Sequence, residues 1–475
     1  MSGKGNEKKK LLLKVDYVLE LDKQLGTGPL RSIVYEGTYG GTTPRKPSKY
    51  QRKRALMKKI EARHVSDEVD WGFLQGLDHP NVATYIFIRE LNHLCSSHLL
   101  IVQNFCQYNL EHLAKLMSYN WVTGDVLKSA IRGMAAGLNY LHGQAPVPMV
   151  HGNLKPSNVL VKPPLSLPAG FVLTDFWYSK SRHYVPRSCC ICCTSETTED
   201  DPEILKWMAP ELVRGGGRPS CPSMDVYSFG LILEYIKAQG PLPIDDSDCY
   251  LFNLLVHESK MLKPVNRISS KDILHRHPLL MESKQRNKND IAKMRLKYIK
   301  EAYDRMMNLD MSSARRKAQQ DFESKACSLL GKKILPWCRA DDEDDSFNYR
   351  IFTTMNKISQ KPFDPFSFFD LLRLIRYSKM FLSVSGGESL TLLKEIQSDS
   401  FCSSFPYILP LVYILVDSGI DAAFLPDSLF DSIKNRADFV KPSSKIFSNL
   451  YQSSGSPTPL QSANSSVTNS RTKLL

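Results

Sequence analysis

The stretch His151-Gly152-Asn153-Leu154-Lys155-Pro156-Ser157-Asn158 sets a lysine and an asparagine at a fixed spacing in a polar loop. An ammonium at Lys155 suits a phosphate, and the amide oxygen of Asn158 suits a divalent cation. Moving a phosphoryl group to a hydroxyl also needs an acceptor for the hydroxyl proton. Asn153, in the same loop, is an amide, and an amide is no base. Other groups of matching chemistry lie on either side. Gly26 and Gly28 in "QLGTGPLRSIVYEG" stand between two strand-like runs, the layout of a loop whose backbone amides approach phosphates. Lys58 in "ALMKKI" offers a second cation, and Asp175 in "LTDFWYSK" offers a carboxylate for a metal. Together these residues offer groups suited to phosphates and a divalent cation.

The elements that must position them follow from periodicity. To about residue 110, runs such as "SIVYEGTY", "ALMKKI" and "LLIVQNF" alternate apolar and polar residues, as strands of a small antiparallel sheet do, with one longer helical segment among them. From "NLEHLAKLM" through "VLKSAIRGMAAGLNYLH" the apolar positions recur every three to four residues, which predicts helices, and "MDVYSFGLILEYI" and "SKDILHRHPLL" continue that pattern. After residue 285 the texture changes. Ile291, Met294, Tyr298, Ala302 and Met306 fall along one helical face, an acidic run at Asp341–Asp345 reads as an exposed loop, and "FSFFDLLRLIRYSKMFL" and "FPYILPLVYILV" read as buried helices. The last residues are rich in Ser, Pro and Asn with little to bury, so a disordered tail is expected over 441–475.

Composition bounds the remaining classes. A chain of 475 residues has room for two or three cores, and ordinary apolar and charged fractions exclude a wholly disordered chain. No apolar run reaches the roughly 18 residues that span a bilayer, and the lysine-bearing start lacks a signal-peptide core, so a cytoplasmic protein with no membrane partner is expected. The 11 cysteines point to reduced thiols; the cluster Cys189 to Cys193 could hold a soft metal but has neither histidines nor a second cluster beside it. A net charge of +13 suits an anionic partner such as nucleotide, RNA or acidic protein, and equally a solvated basic surface.

In their order and spacing the motifs of residues 17–282 resemble a protein kinase domain. The resemblance implies a two-lobed α+β fold with ATP or ADP and Mg2+ between the lobes. It assigns nucleotide binding to Gly26, Gly28, Ile33, Lys58, Asp70, Lys155, Asn158 and Asp175, with Asn158 and Asp175 on the metal and Asp70, or Glu68 in a shifted register, as the carboxylate partner of Lys58. "KWMAPELV", "MDVYSFG" and "NRISSKDILHRHPLL" resemble the family's Ala-Pro-Glu, aspartate and arginine motifs, with Arg267 expected to pair with Glu211. Three departures argue against phosphoryl transfer: Asn153 at the catalytic-base position, Arg31 where the loop has its third glycine, and Trp177 where glycine follows Asp-Phe.

"GTGPLRSIVYEGTY" and "ILHRHPLL" are most similar to the kinase/endoribonuclease family of the unfolded-protein response and ribonuclease L, in which an all-α ribonuclease domain, the KEN domain, follows the kinase. Residues 288–440 resemble that domain through Trp337, "DLLRLIR" and "FPYILPLVY". In the family, nucleotide favours a homodimer that builds a ribonuclease surface. Here Arg376 is kept, with Arg373 and Lys379 as candidate RNA contacts, but Tyr377 and Phe381 replace the family's asparagine and histidine and Phe363 replaces its tyrosine. The reading is an ATP-binding pseudokinase (17–282) after a basic segment (1–16), joined to a KEN-like domain, acting by dimerisation with weak or absent nuclease chemistry. An active endoribonuclease, with Tyr349 among its proton donors, and a pure signalling scaffold like the kinase-homology region of receptor guanylyl cyclases are the alternatives.

Overall fold

A computed structural model describes residues 9–12, 17–28, 32–41, 53–61, 71–93, 96–117, 122–146, 148–176, 205–213, 221–281, 288–309, 311–330, 337, 346–384, 388–397, 400–418 and 425. The chain forms two compact units: Met1–Pro243 with Leu255–Arg276, and Ile244–Leu254 with His277–Leu475. Glu68, Asp70, Trp177, the Cys189 to Cys193 cluster and the 441–475 tail lie outside the described residues.

The first unit opens with an antiparallel sheet of β1 (Lys9–Leu12), β2 (Tyr17–Gly28), β3 (Ser32–Gly41), β4 (Lys53–Glu61), β5 (Tyr85–His93) and β6 (Ser96–Asn104), in the order β1-β2-β3-β4-β6-β5. Period-2 alternation gives this sheet two distinct faces. On one, Ala55, Met57, Leu100 and Val102 form a buried cluster under Tyr35 and Tyr39. On the other lies Lys58, whose cross-strand neighbours are Val34 and Ile101. A short helix α1 (Trp71–Gln75) precedes β5.

Helices dominate the rest of the unit: α2 (Leu110–Met117), α3 (Gly124–His142), α4 (Pro210–Val213), α5 (Pro222–Ala238), α6 (Asp246–Ser259), which the two units share, and α7 (Ser270–His275). Thr123 caps α3 by accepting from the Val126 amide. A small sheet of β7 (Tyr108–Asn109), β8 (Val159–Val161) and β9 (Phe171–Leu173) lies against α3. Gly133 permits that approach, since a Cβ there would sit 2.5 Å from the Pro168 carbonyl oxygen. Asn81 ties the β5 approach to β9, donating from Nδ2 to the carbonyls of Pro168 (2.6 Å) and Phe171 (2.8 Å). A buried ion pair locks α4: Arg267 donates to both Glu211 oxygens, at 2.5 and 2.8 Å, the pairing expected of these two residues.

The second unit is helical in its described part: α8 (Lys288–Met307), α9 (Ser312–Leu330), α10 (Phe347–Ile358), α11 (Phe368–Val384), α12 (Glu388–Gln397), α13 (Ser400–Ser404) and α14 (Ile408–Val412), which runs into a π-helical turn, Tyr413–Asp417. Its centre is α11, whose Phe368, Leu371, Leu372, Leu374 and Ile375 are fully buried against α8, α9, α10 and α12. Glu323 on α9 caps α11 from outside the helix, accepting from the amides of Phe368 (3.0 Å) and Phe369 (2.9 Å). Trp337 donates its indole N–H to the Ser367 carbonyl at 2.9 Å and sets its ring edge-on to Phe352 and Phe405.

Candidate functional site

The loop 151–158 is held from below by one carboxylate. Asp225 of α5 accepts from the amides of His151 (2.7 Å) and Gly152 (2.8 Å) and meets His142 Nε2 at 2.9 Å. Gly152 has φ +70°, which glycine adopts without the steric cost of a side chain. The His151 ring is fully buried, edge-on to Phe176 at 6.0 Å, and Phe176 in turn packs on Tyr85 at 5.2 Å. Burial lowers the His151 pKa, so this imidazole is a neutral packing element rather than a proton acceptor.

Above this stack the polar groups converge. Asn158 donates from Nδ2 to the Asn153 carbonyl at 2.8 Å and accepts the Thr174 amide on its own carbonyl at 3.0 Å. Asn153 is buried and directs its amide nitrogen to the Asp175 carbonyl at 3.5 Å. Asp175 sits at φ +63°, left-handed backbone that costs a non-glycine residue about 1–3 kcal/mol and that asparagine and aspartate tolerate best. Its buried carboxylate receives the ammonium of Lys58 on both oxygens. Thus Lys58, Asn153, Asn158 and Asp175, read as one site in the sequence, come together. Lys155 is half-buried on the same loop, and Gly26 and Gly28 close β2.

Two details differ from expectation. Cross-strand register sets Val34 opposite Lys58, and Ile33 falls opposite Lys59 on the other face of the sheet. The register thus sets Val34, rather than Ile33, on the face of the sheet that carries Lys58. Strand alternation could have found Val34, had the register of β3 on β4 been known. The second is Gln103, which faces the same way as Tyr85, its cross-strand neighbour, and accepts the Thr174 hydroxyl at 2.9 Å, one residue before Asp175. No motif marked it.

A divalent cation fits the set. With its nitrogen spent on Asn153, Asn158 keeps its amide oxygen for a metal, and Asp175 supplies a carboxylate once Lys58 turns to a phosphate. Magnesium binds well through one or two such oxygens together with nucleotide phosphates.

Two of the candidate RNA-binding groups, Arg373 and Arg376, have partners within the second unit. Arg373, a candidate RNA contact, is buried, donates to the Pro362 carbonyl at 2.6 Å and lies 4.3 Å from the Phe363 ring centroid. Arg376 is paired through Nε with Asp304 at 2.7 Å. Lys379 lies within α11. Aromatic rings surround Arg376: Tyr377 stands 6.1 Å from Tyr303 and 6.0 Å from Phe381, and the Tyr303 hydroxyl is pushed above its ordinary range mainly by burial. No histidine follows His277 in the chain. Tyr349, the alternative proton donor, lies in the first turn of α10, where its amide donates to the Ser346 cap at 3.2 Å.

An antiparallel sheet joined to helices, with this lysine, loop and aspartate at the junction, defines a nucleotide-binding fold of the kinase kind. Residues 19–331 match the model of the protein kinase domain, and the chain belongs to that family. It is 24% identical over 285 residues to an Acanthamoeba polyphaga mimivirus protein named as a serine/threonine-protein kinase/receptor, covering 56% of this chain and 16% of that protein. Against human mitogen-activated protein kinase kinase kinase 10 it is 28% identical over 193 residues, covering 40% and 18%. Against rat guanylate cyclase 2G it is 38% identical over 122 residues, covering 25% and 10%. The chain therefore spans less than a fifth of the length of these relatives. No helix among the described residues is long and apolar enough to cross a membrane.

Proposed function

We propose that this chain is an adenine-nucleotide-binding pseudokinase joined to a KEN-like helical unit, that it signals by nucleotide-linked homodimerisation, and that phosphoryl transfer and RNA cleavage are both lost or nearly so. The observation that carries the reading is Asn153: a buried amide at the catalytic-base position whose nitrogen points to the Asp175 carbonyl. Losing a general base costs about 10² to 10⁴ in rate. The groups that would grip nucleotide are Lys58 for phosphate and Asn158 and Asp175 for magnesium, and the reading takes the kinase-like domain as 17–282 and the KEN-like domain as 288–440. On the helical side, cleavage by a neighbouring 2′-hydroxyl needs a proton acceptor, and the groups around Arg376 are Asp304, engaged by the guanidinium itself, and the rings of Tyr377, Tyr303 and Phe381.

The test is equilibrium binding of fluorescent ADP with magnesium, beside a phosphotransfer assay, on wild type and Lys58→Ala. Binding by wild type that weakens at least tenfold in the variant, with no phosphate incorporation by either, is expected. Magnesium-dependent autophosphorylation that disappears in Lys58→Ala would overturn the proposal.

A further inference from the structure

In the second unit, the turn that joins α8 to α9 sets apolar and basic side chains together at the surface. Leu309 and Met311 are left 38% and 69% exposed, two residues apart. Three consecutive cations follow on α9, Arg315, Arg316 and Lys317, and all three are exposed. A single exposed apolar residue is ordinary, but a pair at the apex of a turn, bordered by charge of one sign, points to a contact. The turn is also held in shape. Arg315 donates from Nε to the Leu309 carbonyl at 2.7 Å, the Asn308 amide donates to the Asp304 carbonyl at 2.8 Å, and Gln319 reaches back to the Met307 sulfur at 3.2 Å. The apolar pair therefore stands on a fixed frame, and little ordering entropy opposes its burial against a partner.

The charge selects an anionic partner. The first turn of α9 holds no acidic side chain, and cations close behind it lie toward the positive end of the helix, where they are least favoured. Arg315, Arg316 and Lys317 form no ion pair among the described residues, and residues 309–317, with Asp310 as their one acid, carry a formal charge of +2. An anion brought from outside relieves that repulsion.

The arrangement selects a plane over a groove. Successive helical residues point about 100° apart, so the three cations fan around α9 instead of lining one face, as a bound peptide or nucleic-acid strand would need. They trail Met311 by four to six residues, a distance of about 6–9 Å along the helix axis. The polar layer on each side of a bilayer's hydrocarbon core is about 5–8 Å thick. With the apolar pair at the acyl boundary, the cations fall among the headgroups.

We propose that the α8–α9 turn rests on an anionic bilayer surface, Leu309 and Met311 entering the boundary between headgroups and acyl chains and Arg315, Arg316 and Lys317 meeting the lipid anions. The contact is peripheral and needs no spanning helix, so the lack of a long apolar run, on which the expectation of no membrane partner rested, does not oppose it. It is independent of nucleotide binding.

The experiment is flotation of the nucleotide-free full chain with vesicles of phosphatidylcholine, either alone or with about 30% phosphatidylserine. Wild type should float with the anionic vesicles and not with the neutral ones. Arg316→Gln with Lys317→Gln removes two of the cations, while Lys263→Gln with Lys271→Gln removes the same charge from exposed positions of the first unit and controls for the overall charge of +13. At about 1 kcal/mol per cation at the surface, the first pair should weaken partition about 30-fold and the control pair less than about threefold. Leu309→Ser with Met311→Ser keeps every charge and should weaken partition at least about tenfold. All these positions are exposed, and an unchanged thermal midpoint verifies that each variant is folded. Equal losses from the two glutamine pairs would mean diffuse attraction of a basic protein and overturn the proposal. Flotation that survives the serine pair but not Arg316→Gln with Lys317→Gln would mean a purely electrostatic site, as for a nucleic-acid strand, and overturn it as well. Wild type that fails to float with anionic vesicles, or a serine pair that lowers self-association while leaving flotation intact, would do the same, the latter by marking a contact between copies.

Discussion

His277 shows how one buried side chain ties stability to pH. It caps the single turn Pro278–Leu280 by accepting the Leu279 amide on Nδ1, and its ring lies edge-on to Tyr413 at 5.0 Å. Complete burial pulls its pKa from 6.5 to about 3. The folded state therefore refuses a proton that the unfolded chain accepts between those values. Stability is full above pH 6.5 and is lost as pH falls toward 3, by at most about 1.4 kcal/mol per pH unit. Asparagine keeps an acceptor for the Leu279 amide but does not titrate. Thermal denaturation of His277→Asn should show a lower midpoint at pH 7, from the lost ring contact, and a shallower fall of midpoint between pH 6.5 and 4 than wild type. Identical slopes would mean that other groups set the acid limit of the fold.

Helix and strand boundaries depend on partners that lie far off in the sequence, and α11 is the clearest case. Its apolar run made it legible as a buried helix, yet its N-terminus is capped by Glu323, 44 and more residues upstream, which also accepts from the Ser367 hydroxyl at 3.2 Å. No local pattern could show that. Glu323→Ala should lower stability by about 1–2 kcal/mol, since it strands two helix-terminal amides and removes a carboxylate from the positive end of the helix; Glu323→Gln should recover part of the loss. Denaturant unfolding of the two variants checks both. The same logic explains what was and was not readable in the nucleotide site. Lys58, Asn158 and Asp175 were legible because their chemistry and spacing are local properties of the chain. A strand shows which residues alternate but not which face meets a site, so the choice between Ile33 and Val34 depends on the pairing of β3 with β4. Arg373 looked like a solvated cation because its carbonyl acceptors, in the loop before α11, become visible only when that loop folds back on the helix.

At the scale of the whole molecule the net charge of +13 bears directly on self-association. Two copies repel one another, over a range set by the Debye length of about 10 Å at 0.1 M salt. Under the proposed function, bound nucleotide phosphates would cancel part of that charge and engage Lys58, which is held by Asp175 in the structure. A nucleotide that binds the dimer more tightly than the monomer shifts the population toward dimer by that difference and no more. Sedimentation velocity should therefore show a larger dimer fraction with ADP and magnesium than without, and none of that increase in Lys58→Ala. Raising salt should favour the nucleotide-free dimer by screening repulsion, and so narrow the gap that nucleotide opens. Equal sedimentation with and without saturating nucleotide, at low salt where the charge effect is greatest, would separate binding from assembly. The retained phosphate and metal groups would then need an explanation in the stability of the first unit, where the Lys58–Asp175 pair is already buried, rather than in communication between copies.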